Sequence, residues 1–108
     1  MSAYNFLFTY TVSPKDSTTT KITLADNVRK NIASLKVHEW TKLATVETTF
    51  SGVVYLTNST TNGKRTEAEK LIKNILREVI DKQHAYLHIS VDVALMVNGL
   101  GEHIEFKV

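Results

Sequence analysis

Residues 66–80 read Thr66-Glu67-Ala68-Glu69-Lys70-Leu71-Ile72-Lys73-Asn74-Ile75-Leu76-Arg77-Glu78-Val79-Ile80, and the fold class follows from this stretch. Ala68, Leu71, Ile72, Ile75, Leu76, Val79 and Ile80 recur at helical spacing and form one apolar stripe. Glu67, Lys70, Lys73, Asn74, Arg77 and Asp81 cover the other side. Thr66 and Glu69 have the spacing of a capping box, in which each side chain satisfies an unpaired backbone donor. The pattern predicts an amphipathic helix that must bury one face on something else. Just upstream, Asn58 to Gly63 is polar, closes on Asn62-Gly63, and reads as a loop. Its Asn58-Ser59-Thr60 matches a glycosylation acceptor and is read as part of that loop.

What the helix packs on is written on both sides of it. At the start, Tyr4, Phe6, Phe8, Tyr10 and Val12 alternate with Asn5, Leu7, Thr9 and Thr11, the period of a strand. Pro14 ends it by removing a ladder donor. Downstream, Leu87, Ile89, Val91, Val93, Leu95 and Val97 share one face of a long strand, and His88, Ser90 and Asp92 share the other. Asn98-Gly99 suits a tight turn, after which Ile104, Phe106 and Val108 alternate with His103, Glu105 and Lys107 in a final short strand.

Between these lie a first helix and a hairpin. Leu24, Ala25, Val28, Ile32 and Leu35 keep helical spacing, with Thr23 read as the N-cap and the polar run Ser17 to Lys21 as a loop. From Trp40 to Thr57 strand character returns. Val46, Thr48 and Phe50 are read as one side of a strand, Ser51-Gly52 as its turn, and Val53 to Leu56 as the returning strand.

The order β-α-β-β-α-β plus a short terminal strand predicts an α+β, two-layer sandwich of ferredoxin-like topology. Both helices then lie on one face of an antiparallel sheet. Residues 1–108 are read as a single domain, since 108 residues and 43% hydrophobic composition suit one core. Burial of the two apolar faces predicts that Ile75→Asp or Val91→Asp unfolds the chain.

Composition narrows the chemistry. The chain has no cysteine, which removes disulfides, zinc–thiolate sites and thiol nucleophiles. The N-terminus lacks the basic leader and apolar run of a signal peptide, and no stretch approaches the roughly 20 apolar residues of a membrane helix. A cytoplasmic protein is expected. The histidines His38, His84, His88 and His103 show no metal-ligand spacing, so no metal and no cofactor is expected.

Candidate binding residues fall into two groups. Lys64, Arg65, Lys70, Lys73 and Arg77 form a basic side of the second helix that could track a phosphate backbone, although Glu67, Glu69, Glu78 and Asp81 interleave them as in a salt-bridged exposed helix. Gly63-Lys64-Arg65-Thr66 is not a phosphate loop, because the leading glycine is missing and Arg65 separates Lys64 from Thr66. His88 and Asp92 would share the open sheet face with Ser90, about 13 Å apart at strand rise, too far for a direct hydrogen bond. No convergent catalytic set emerges. The aromatic stripe of the first strand is read as core rather than as a base-stacking surface.

The element order resembles that of small ferredoxin-like dimers, including metal-dependent nucleases whose first strand ends in an aspartate. Here that region reads Thr9-Tyr10-Thr11-Val12-Ser13, so the resemblance implies a fold and an assembly, not a nuclease. The expected function is a non-enzymatic homodimeric binding module, with dimerisation by addition of the terminal strand. Two alternatives are a nucleic-acid-binding protein using the second helix's basic side and an enzyme with a small-ligand site on the open face.

Overall fold

The computed structural model covers residues 1–108. In chain order it forms β1 (Ser2–Pro14), α1 (Thr19–Ala33), β2 (Trp40–Lys42), β3 (Thr49–Leu56), α2 (Thr61–Lys82), β4 (Ile89–Val97) and β5 (Ile104–Lys107). The five strands make one sheet in the order β2-β3-β1-β4-β5, every neighbouring pair antiparallel. The protein is therefore α+β, with a five-stranded antiparallel sheet and two helices.

Alternation in β1 sets the layers. Phe6, Phe8, Tyr10 and Val12 are buried, whereas Asn5, Leu7, Thr9 and Thr11 are exposed. Val91, Val93, Leu95 and Val97 of β4 lie on the same covered side. Ala25, Val28 and Ile32 of α1 and Ala68, Ile72, Leu76, Val79 and Ile80 of α2 pack into that same core. Both helices thus cover one face, and the other face stays open. Trp40 closes the β2 end of the core, its ring 5.3 Å from Phe8 and 5.5 Å from Phe6.

Four boundaries differ from the sequence reading, each for a local reason. α1 begins at Thr19 rather than after Thr23: the Asp16 carboxylate accepts the Thr18 N–H at 3.0 Å and its hydroxyl at 2.7 Å, and the Thr18 oxygen accepts from Lys21 N–H. α2 begins at Thr61, so Asn58 to Thr60 is loop as read, whereas Thr61 to Gly63 is already helix. Thr60 caps it by accepting the Gly63 N–H at 2.9 Å, and Asn58 Oδ1 accepts from Thr60. In both cases the first turn is polar, so apolar periodicity does not reveal it.

Ser51-Gly52 is not a turn but the middle of β3, where Gly52 pairs with Phe6 and Trp40. A Cβ at Gly52 would run into the Glu39 carbonyl oxygen and press on the Phe6 ring. Glycine is there for close approach. The chain reverses instead over residues 43–48, held by Lys42 Nζ donating to the carbonyls of Leu43 and Val46, each at 3.2 Å. Finally, Leu87 is not a core residue. It precedes β4 and is 69% exposed.

Candidate functional site

Sheet register decides what the open face carries. Thr9 lies beside Ala94, Thr11 beside Asp92, and these lie beside Glu105 and Lys107 of β5. Together they line a shallow groove of about 460 Å³. Two of its three charges pair, Lys107 Nζ donating to Asp92 Oδ1 at 2.8 Å, while Glu105 lies 3.6 Å from His103. Higher on the same face, Leu7 and Met96 pair across β1 and β4, and each is nearly half exposed.

Asp92 and His88 do not converge. Asp92 belongs to β4 and to the groove, whereas His88 sits before β4 and does not line it. The His88 backbone closes a turn, donating to the Ala85 carbonyl at 2.8 Å and accepting from Lys15 N–H at 3.0 Å. No hydrogen bond connects the two side chains, and Asp92 bonds instead to Lys107. No group of three or more His, Cys, Asp or Glu side chains could hold a metal ion.

The five basic residues of α2 divide by what they touch. Lys64 Nζ donates to the Tyr4 hydroxyl at 2.8 Å and lies over that ring. Arg65 Nη1 donates to the carbonyls of Leu100 at 2.8 Å and Glu102 at 2.6 Å, clasping the turn between β4 and β5. These two tie α2 to the sheet. Arg77 lies 4.4 Å from the ring centroid of the exposed Tyr86, and Lys15 approaches the same ring at 5.9 Å. Lys70 is exposed beside the start of α2 and Lys73 is half-buried. The stripe read from the sequence is thus two anchoring residues, followed by three cations that lead toward Tyr86, an aromatic that periodicity did not single out.

A further cluster was invisible in the sequence. Glu39 has φ 64 and accepts the Tyr55 hydroxyl at 2.6 and 2.7 Å, with His38 Nε2 3.1 Å away. The carboxylate raises the Tyr55 phenol above its ordinary pKa by accepting its proton's hydrogen bond. The cluster lines no cavity.

The sheet's two edges differ. β2 has three residues, and β5 has four. Val108 N–H donates to Val91 O at 3.0 Å, which fixes the hydrogen-bonding phase of β5. Ile104, Phe106 and Val108 turn their backbone groups inward to β4, so Glu105 and Lys107 present theirs outward. Side chains follow the same alternation. Ile104, Phe106 and Val108 pack half-buried against the core, and Glu105 and Lys107 lie exposed on the open face.

No helix is long and apolar enough to cross a membrane. The chain matches no known family model, no curated protein and no solved structure at a significant level.

Proposed function

We propose that this protein is a ferredoxin-like, non-enzymatic interaction module that works as a homodimer joined through β5. The ferredoxin-like reading is supported by the strand order β2-β3-β1-β4, with a helix in each crossover, extended by β5. The assembly is carried by one observation: the outward N–H and C=O groups of Glu105 and Lys107 have no strand beside them. An open edge of this kind recruits another strand unless something covers it. The absence of catalysis rests on the open face, whose Asp92 and Lys107 neutralise each other in a groove with no nucleophile–base pair. A cytoplasmic setting belongs to the same reading, since a cysteine-free chain suits a reducing compartment. Size-exclusion chromatography with light scattering tests the assembly. A dimer is expected, and a monomer at high micromolar concentration overturns it.

A second reading, nucleic-acid binding by the basic side of α2, is favoured by the exposed Tyr86 with Arg77 and Lys15 at its ring. An aromatic beside cations suits a single strand, which offers bases to stack and phosphates to neutralise. A salt-dependent anisotropy titration with generic RNA and DNA separates this reading from the first.

A further inference from the structure

We infer that two copies pair through β5 in one register, with Phe106 on the two-fold axis and Glu105 of each copy opposite Lys107 of the other. The inference rests on the homodimer proposed above and goes on to name its contact residues.

Hydrogen-bonding phase limits the choice. Only Glu105 and Lys107 in β5 point their N–H and C=O groups away from β4. A symmetric antiparallel partner must meet those groups with its own, so the two-fold axis has to pass through a residue and not between residues. Centring on Glu105 opposes Glu105 to its own copy, and centring on Lys107 opposes Lys107 to its own copy. Both place like charges directly across the strands, which is unfavourable. Centring on Ile104 moves the pairing off β5 into the preceding turn. Centring on Phe106 leaves Glu105 opposite the partner's Lys107 and Lys107 opposite the partner's Glu105. Each of these pairs exchanges two backbone hydrogen bonds.

Both faces of the sheet agree with that register. On the covered side, Phe106 meets the partner's Phe106 and Ile104 meets the partner's Val108, so half-buried apolar side chains of the two copies meet. On the open side, the Asp92–Lys107 pair at 2.8 Å extends to the partner's Glu105. Charge alone would protect an edge from pairing. Opposite charges two residues apart make this edge complementary to itself.

The test uses charge exchange in the full chain, read by sedimentation equilibrium. Glu105→Lys and Lys107→Glu each weaken the homodimer by about tenfold or more, since two attractive pairs become repulsive. Mixing the two variants restores assembly, as a heterodimer tighter than either homodimer. Because Lys107→Glu also sets a second carboxylate beside Asp92, a cysteine series in this cysteine-free chain gives an independent reading. Phe106→Cys forms an oxidised dimer faster than Glu105→Cys or Lys107→Cys. The Cα atoms of such a non-hydrogen-bonded pair lie about 4.5 Å apart, within disulfide range. A wild-type dimer whose affinity is unchanged by both single charge exchanges overturns this register and leaves the homodimer standing. So does faster cross-linking of Glu105→Cys or Lys107→Cys than of Phe106→Cys. A monomeric wild type overturns the homodimer itself.

Discussion

Glu67 reaches back from the second turn of α2 to Thr57 and takes up both of that residue's donors. Its carboxylate accepts the Thr57 N–H at 2.9 and 3.0 Å and the Thr57 hydroxyl at 2.9 Å, and it accepts the Asn58 N–H at 2.9 Å as well. One side chain thus fixes the angle at which the chain leaves β3 and enters α2. The Asn58 N–H, and then the Thr57 N–H, hold the carboxyl below its ordinary pKa by bonding to the charged form. A folded-state pKa below the unfolded one contributes stability above the unfolded value, about 4.3, and loses it as pH falls through the folded value. Glu67→Gln therefore lowers the melting temperature near neutral pH. The gap to wild type narrows as pH drops below the ordinary glutamate range, as followed by circular dichroism melts. A gap that stays constant with pH would show that the charge plays no part.

His84 is the second prediction. It follows the C-cap Gln83 with φ 53, while Ala85 N–H donates to Ile80 O and His84 N–H donates to Asp81 O. This is the Schellman arrangement, whose left-handed position favours glycine. A non-glycine residue is strained there by about 1–2 kcal/mol, and glycine gives part of that back as unfolded-state entropy. His84→Gly is expected to stabilise the protein by roughly 0.5–1 kcal/mol in urea unfolding. A loss of stability would contradict the strain argument.

Gly52→Ala is expected to move the other way. The added methyl meets the Glu39 carbonyl, which is held by its bond from Val53 N–H, and the Phe6 ring in the core. Neither neighbour is free to retreat, so the cost is about 1–3 kcal/mol, as for overpacking. Thermal unfolding reads it, and a neutral result would mean that β2 shifts on β3.

Ile75 and Val91 separate under the same substitution. Val91 is 0% exposed in the middle of the sheet, whereas Ile75 is only half-buried on α2. Val91→Asp leaves an unpaired carboxylate among apolar groups and abolishes folding. Ile75→Asp, which periodicity puts on a par with it, leaves a folded but weakened protein, because its carboxylate keeps a route to water. Circular dichroism of the two variants distinguishes these outcomes.

These cases show where the sequence is informative. Phe6 to Val12 and Ile89 to Val97 are legible because alternate burial of long side chains dominates a strand's energetics, and period two records it. The starts of α1 and α2 are not legible by the same rule. They are set by Asp16 and Asn58, whose side-chain oxygens organise the next capping threonine before any apolar residue appears. Gly52 misleads because glycine serves turns and close approaches alike, and only the Glu39 carbonyl tells which. Arg65 reads as a free cation, since the carbonyls that hold it come from a turn far along the chain. The edge of β5 is intermediate: Glu105 and Lys107 alternate visibly, but the outward direction of their backbone groups depends on register with β4.

The division of the basic residues sets the last prediction. Lys64 bonded to Tyr4 and Arg65 bonded to Leu100 and Glu102 cannot turn to a phosphate without releasing those partners. Lys70, Lys73 and Arg77 are left on the same helix, together with Lys15 beside Tyr86, to displace counterions. With about 0.7–0.9 ions released per neutralised phosphate, any nucleic-acid binding by these four shows a log–log salt slope no steeper than about −3.6. If Lys64 and Arg65 took part as well, the slope would approach about −5. Arg77→Ala should reduce a measured slope by about one, whereas Lys64→Ala should leave it unchanged and lower thermal stability instead. A steeper slope, or equal effects of Arg77→Ala and Lys64→Ala on it, would mean that α2 gives up its anchors on binding.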